Sequence, residues 1–205
     1  KITAPTSLGV LSQFRPIPPS MEVAVTVSDY QFTEIMARVR WTGSVTGVDW
    51  PEFDKAEISC ESISASMEKT GLRMGYGRGC PYTLYDQRCL ASMAAVRLDT
   101  TLTAVGTLTI TSPAFSAFAD GYFAGGFIQW LMDGETSQRG IEAHTGTLLT
   151  LLDITAGLTV GTVVTAYPGC DRTISVCDSR FSNHLNFGGI PNLPGKSPFS
   201  GDPIY

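Results

Sequence analysis

At 205 residues, 43% of them hydrophobic and 16% charged, the chain has the composition of a folded protein with one sizeable core or two small ones, which excludes disorder as its default state. A formal charge of -5 offers none of the clustered Lys and Arg that a nucleic-acid backbone selects, so direct nucleic-acid binding is excluded. No run approaches the roughly 18 apolar residues of a membrane span, and KITAPTSLGVLSQFRP lacks the apolar stretch of a signal peptide; both point to a chain made in the cytoplasm, and a start at Lys1 without Met points to an internal or processed piece.

In chain order, the pattern is one of strands and punctuation. Met21–Val27, Ile35–Trp41, Ala56–Ile63 and Leu102–Ile110 alternate apolar and polar residues, several with prominent β-branched positions, which predicts half-buried strands. The sequence predicts two short helical pieces, Asp86–Leu90 and Ala114–Ala119 after Ser112-Pro113. Further strands are predicted at Tyr122–Met132, Gly140–His144, Thr147–Leu152 and Thr162–Tyr167, separated by turn formers such as Asp133-Gly134 and Thr155-Ala156-Gly157. The fold class is therefore mainly β, of small barrel or sandwich-like domains with long loops. A boundary is expected between Ile110 and Gly121, giving a first domain over residues 1–115 and a second over 116–205. From Phe181 onward no period is sustained, so Phe181, Leu185, Phe187, Ile190 and Phe199 are the expected anchors of a tail that must lie against something else.

Four of the five cysteines fall in two short pairs, GCPYTLYDQRC (Gly79 to Cys89) and PGCDRTISVC (Pro168 to Cys177). Fully extended, nine steps span roughly 30 Å and seven roughly 23 Å, so the members of each pair meet only in folded loops, which the neighbouring Gly, Pro, Asp171 and Asp178 permit. Three chemistries compete: buried cysteines acting as small hydrophobes, disulfides, and a metal or iron–sulfur site drawing four soft ligands from two loops. Disulfides suit a secreted chain, which nothing here directs, and an odd count leaves one thiol over. Ordinary zinc sites use pairs two to four residues apart, closer than either pair here. Cys60 alternates in phase with Ala56 and Ile58 and reads as core.

The run YPGCDRTISVCDSRFSNHLNFGGIPNLPG, Tyr167 to Gly195, resembles the closing motif of a family of tailed-phage tail-tip proteins, which reads approximately GCD…C…RF.N..NFGGFP.IPG. Upstream, CPYTLYDQRC resembles the same family's C…LYD..C segment, in the same order and direction. Ile190 stands where the family more usually has Phe, and Lys196-Ser197 ends the motif differently. The family includes the tail hub of gene-transfer agents and is similar in role to the lambda-type minor tail protein L. The resemblance implies a structural hub subunit of the virion tail tip, or baseplate, assembled in the host cytoplasm, between the distal tail ring and the central tip or fibre protein. It implies a homo-oligomeric ring, with a trimer favoured, and a 4Fe-4S iron–sulfur cluster held by Cys80, Cys89, Cys170 and Cys177. The cluster would act as a staple for the long loops, with no catalytic residues and no enzyme activity.

Other chemistry is weaker. His144 and His184 are the only histidines, and a nucleophilic Cys89–His184 pair has no support beyond residue type; His184 reads as a hydrogen-bonding loop residue and His144 as facing solvent or an interface. Asp49, Glu52, Asp54 and Glu57 read as a solvated face rather than an acid–base pair. Gly75, Gly77 and Gly79 lack the GK[ST] of a phosphate loop and read as turn residues that bring backbone close to the cluster. The alternative functions are a metal- or redox-dependent enzyme sharing the four-cysteine pattern and a disulfide-stapled secreted binding module.

Overall fold

The computed structural model describes residues 1–30, 37–68, 71, 74–132 and 134–194. The chain divides into two compact units, Lys1–Leu72 with Leu131–Ser137, and Arg73–Trp130 with Gln138–Tyr205. Both are mainly β. The Ile110–Gly121 stretch, where the sequence suggested a boundary, lies inside the second unit, and so do both cysteine pairs.

In the first unit β1 (Ile2–Pro5), β2 (Ala24–Asp29), β3 (Arg38–Asp49) and β4 (Lys55–Ser62) form an antiparallel sheet in the order β1-β4-β3-β2. The alternation expected over Ala56–Ile63 appears as β4, where Ala56 and Ile58 point inward. With Ala4 and Leu11 they form a small core on which Val48, Trp50 and Cys60 pack, so Cys60 is core-associated, as its phase implied. The strand expected over Ile35–Trp41 starts in residues outside those described, and β3 runs on to Asp49. Glu57 is paired with Lys1 at 3.3 Å and with Lys55 at 4.0 Å, not with another carboxylate.

The second unit begins its regular structure with α1 (Met93–Val96) and β5 (Leu98–Thr101). The single strand expected over Leu102–Ile110 is instead a hairpin of β6 (Ala104–Val105) and β7 (Thr109–Thr111). Gly106 and Thr109 close it with an N–H to carbonyl bond of 2.7 Å, and a Cβ at Gly106 would fall 2.5 Å from the Thr109 hydroxyl. A two-residue turn can hide inside an alternating run because Thr107 and Leu108 continue the polar and apolar period. Pro113–Ala117 forms a 3-10 turn in place of the predicted short helix. Then come β8 (Phe127–Met132), β9 (Glu135–Thr145), β10 (Leu148–Leu151), β11 (Val163–Tyr167) and α2 (Ile174–Phe181), with the seven strands ordered β5-β11-β8-β9-β10-β7-β6.

Ile110, Phe115, Phe123, Ile128, Leu149, Val164 and Ala166 are fully buried in this unit. The burial of His144, at 3% exposure, corrects the solvent-facing reading. Ser137, Arg139 and Ile141 point inward on β9, and an unbroken alternation would bury Ala143 next. Pairing with β10 slips between Thr150↔Ala143 and Leu151↔Ile141, leaving Glu142 as an extra residue. That bulge shifts the phase by one, so His144 turns inward opposite Leu149, edge-on to Phe123 at 5.1 Å and bonded through Nε2 to the Gly146 carbonyl at 3.0 Å.

Candidate metal centre

The first cysteine loop is built by the residues between its cysteines. The helix expected over Asp86–Leu90 does not form. Asp86 Oδ1 accepts instead from the N–H groups of Arg88 at 2.9 Å and Cys89 at 2.6 Å, and Leu90 closes the turn with φ +57 and an N–H to the Asp86 carbonyl at 3.0 Å. A carboxylate that satisfies backbone donors locally competes with helix, and this is the turn chemistry of Asp. The bond from the Cys89 N–H is the largest cause holding the Asp86 carboxyl below its ordinary pKa. Tyr85 anchors the loop. Its ring meets Phe127, Tyr167 and Phe181 edge-on at 5.9 to 6.2 Å, and its hydroxyl donates to the Pro168 carbonyl at 2.8 Å. Burial above all, then the neighbouring Tyr122 and Cys89, pushes the phenol far above its ordinary pKa, so it stays a donor.

The second pair is held differently, because Cys177 sits on the helix α2 rather than in the loop expected there. Thr173 caps it, accepting from the Val176 N–H at 3.3 Å, while Asp171 Oδ1 accepts from the N–H and hydroxyl of Thr173 at 2.9 and 2.7 Å. The helix ends at Ser182, φ +49, with the Asn183 N–H reaching back to the Cys177 carbonyl at 3.0 Å, the left-handed closure common at helix ends. Arg180 returns to the Gly169 carbonyl at 2.5 Å and lies 4.7 Å over the Tyr122 ring.

Glycines allow these segments to meet. A Cβ on Gly169 would lie 1.8 Å from the Ala124 carbonyl oxygen, and one on Gly126 would lie 2.0 Å from that of Tyr167. Gly188 and Gly189 would collide with the Tyr82 ring at 2.5 Å and the Arg78 carbonyl oxygen at 2.6 Å, which gives the FGG run its physical reason. Gly75 and Gly77 face open space and Gly79 makes only ordinary contact, so the close approaches assigned to them fall elsewhere. In the tail, Phe181 packs on Tyr85 and Ile190 donates its N–H to the Gly77 carbonyl at 2.8 Å, but Leu185 is 88% exposed rather than an anchor. Phe199, Lys196 and Ser197 lie outside the described residues.

These contacts bring Cys80, Cys89, Cys170 and Cys177 to the wall of one cavity of about 210 Å3. The Cys80 N–H donates to the Arg172 carbonyl at 2.9 Å and the Arg172 N–H reaches Cys170 Sγ at 3.4 Å, tying the loops together. All five cysteines are free thiols. Burial raises the thiol pKa of Cys170 and of Cys177, and for each the nearby cysteines raise it further, since every thiolate formed repels the next. Cys60 is in the other unit. Among the described residues no three His, Cys, Asp or Glu side chains converge on one ion. Four cysteines around one cavity are a soft donor set of the type that iron–sulfur clusters and zinc both take. His184 does not line the cavity; its Nδ1 is bonded to Asp178 Oδ1 at 2.6 Å, which removes the Cys89–His184 pair.

All four non-glycine residues with positive φ among those described, Tyr85, Leu90, Arg172 and Ser182, flank these cysteines. Such backbone costs about 1–3 kcal/mol per residue and persists where surrounding structure demands it. Tyr85, Asp86, Arg180 and Asn183 had no assigned role in the sequence reading, although each lies within the LYD and RF.N runs that carried the resemblance.

Residues 121–197 match the model of a family described as phage conserved hypothetical protein BR0599. The match includes Cys170 and Cys177 but not the first pair. A chain of the "Virion of native gene transfer agent (GTA) particle" superposes with a TM-score of 0.74 at 22% identity, over 88% of this chain and 65% of that one. The two chains share a fold. This chain therefore spans about 65% of the length of that virion chain. No curated protein matches.

Proposed function

We propose that the chain is a structural virion component, a tail-tip or baseplate hub subunit stabilised by a 4Fe-4S cluster on Cys80, Cys89, Cys170 and Cys177. The observation that carries the reading is the meeting, on one cavity wall, of four thiols from segments about 80 residues apart in the chain. The phage family match over the second pair and the fold shared with a gene-transfer-agent virion chain support the virion setting. When bound, the cluster supplies four iron–thiolate bonds and, with every ligand a cysteine, no open coordination position. The other lining groups among the described residues are polar or apolar, among them Tyr82, Arg172, Asn183 and Asn186, and the role we assign is structural rather than enzymatic. Because the unfolded chain has no preformed site, binding energy becomes folding energy, and it is spent holding the first loop against α2 within the second unit. In this reading the subunit forms a homo-oligomeric ring, with a trimer favoured, between the distal tail ring and the central tip or fibre protein. No nucleic acid is bound directly, and among the described residues no helix is long and apolar enough to cross a membrane.

The test is anaerobic purification with measurement of iron and sulfide per chain, then comparison of loaded and chelator-treated, reduced protein by melting temperature and by incorporation into tail tips. Loaded protein should melt higher and assemble. A chain that takes up no iron, or whose stripped form melts and assembles equally well, refutes the staple.

A further inference from the structure

Arg172 bridges the two cysteine pairs through its backbone, and Asn183 bridges them with its side chain as well. Asn183 is 8% exposed and lines the cavity. Its side-chain amide donates to the Cys89 carbonyl at 2.5 Å and lies 4.0 Å from Cys89 Sγ. On the other side its N–H holds the Cys177 carbonyl at 3.0 Å; its own carbonyl also accepts from the Cys177 thiol at 3.3 Å, a contact that metal ligation by Cys177 would remove. The amide is itself oriented, since Asn183 Oδ1 accepts from Asn186 Nδ2 at 2.6 Å, leaving the NH2 end aimed at Cys89.

We infer that Asn183 is a positioning residue of the four-cysteine site, fixing the separation of Cys89 from Cys177 and aiming a side-chain N–H at the Cys89 sulfur. The inference rests on the proposed cluster. The amide is satisfied by the Cys89 carbonyl, and an iron-bound cysteine sulfur would be a charged acceptor toward which a donor at this position strengthens. The same donor favours the more negative, reduced form of a bound cluster, so it raises the reduction potential. The other side-chain amide among the described lining residues, that of Asn186, donates to Asn183 Oδ1 at 2.6 Å.

The experiment loads the full-length chain, Asn183→Ala, Asn183→Asp and the control Cys60→Ser with ferrous iron and sulfide, and reads the rate of iron loss to a chelator and the midpoint potential. Asn183→Asp keeps the volume of the side chain but cannot donate when ionised. Outer-shell partners are worth about 10–100-fold in metal affinity, so both Asn183 variants should lose iron about 10–100-fold faster or settle at a lower potential, while Cys60→Ser matches wild type. If the Ala variant does not fold, the Asp variant decides. Loading at the wild-type rate and potential in the Asn183 variants overturns the role of Asn183 and leaves the cluster standing. Insolubility of both variants before loading overturns it as well, because the residue then serves the fold alone. A wild-type chain that takes up no iron removes the cluster reading and this inference together.

Discussion

Replacing Tyr85 separates two ways in which the first cysteine loop is held. In Tyr85→Phe the ring keeps its edge contacts with Phe127, Tyr167 and Phe181, but the bond of 2.8 Å to the Pro168 carbonyl is gone. One such bond is worth about 1 kcal/mol net. Tyr85→Ala removes the ring too, and since Tyr85 is half-buried the low end of the large-to-small range applies, about 3 kcal/mol more. At tenfold per about 1.4 kcal/mol, local opening of the loop should become about 5-fold more frequent in the Phe variant and about 1,000-fold in the Ala variant. Hydrogen exchange at the amides of Cys80, bonded across to Arg172, and Cys89, bonded within the loop to Asp86, reads this directly in the metal-free protein. The strand amides of the first unit, such as those of β4, serve as an internal reference. An Ala variant whose loop amides exchange within threefold of wild type would refute the anchoring role, because the ring contacts would then contribute nothing that the turn does not already supply.

Replacing any one of Cys80, Cys89, Cys170 or Cys177 by Ser should lose iron and lower soluble yield, whereas Cys60→Ser should retain both; iron analysis of the purified variants checks the set. Gly169→Ala places a methyl 1.8 Å from the Ala124 carbonyl oxygen, so the backbone must shift and the second unit should lose about 1–3 kcal/mol in urea unfolding, with little change if the two segments can part freely. Asp99 is held below the ordinary carboxyl pKa by the Thr165 hydroxyl across the β5–β11 pair and by Arg97. The stability it contributes is thus present above the unfolded value of about 3.9 and lost as pH falls through the lower folded value. Asp99→Asn should melt below wild type at neutral pH and converge on it in acid, and a gap that widens in acid would contradict this. Truncation after Asn183 removes the glycines seated on Tyr82 and Arg78 and the Ile190 bond to Gly77, so it should block ring formation, which sedimentation can measure.

What the sequence by itself determined are the features carried by near neighbours. Period-2 alternation marked β4, β10 and β11 and the inward phase of Cys60, because side-chain direction along a strand depends only on the strand's own pleat. It also marked the four cysteines as one set through two motif runs, and dismissed His184 as a nucleophile's partner. The tertiary structure decided what depends on contacts distant in sequence. His144 turned inward because a bulge against β10 reset the phase of β9, and no property of GIEAHTG records a partner strand's register. Asp86–Leu90 became a turn rather than a helix with Tyr85 pulled toward Pro168, 83 residues on, a contact that reinforces the local bond of Asp86 to the Cys89 N–H. The same holds for the site. Two thiol pairs about 80 residues apart reach one cavity because bare backbone at Gly188 and Gly189 lets the chain after α2 close on Tyr82 and Arg78 beside the first loop, and because Asn183, at the end of a short helix, can hold Cys89 and Cys177 at once.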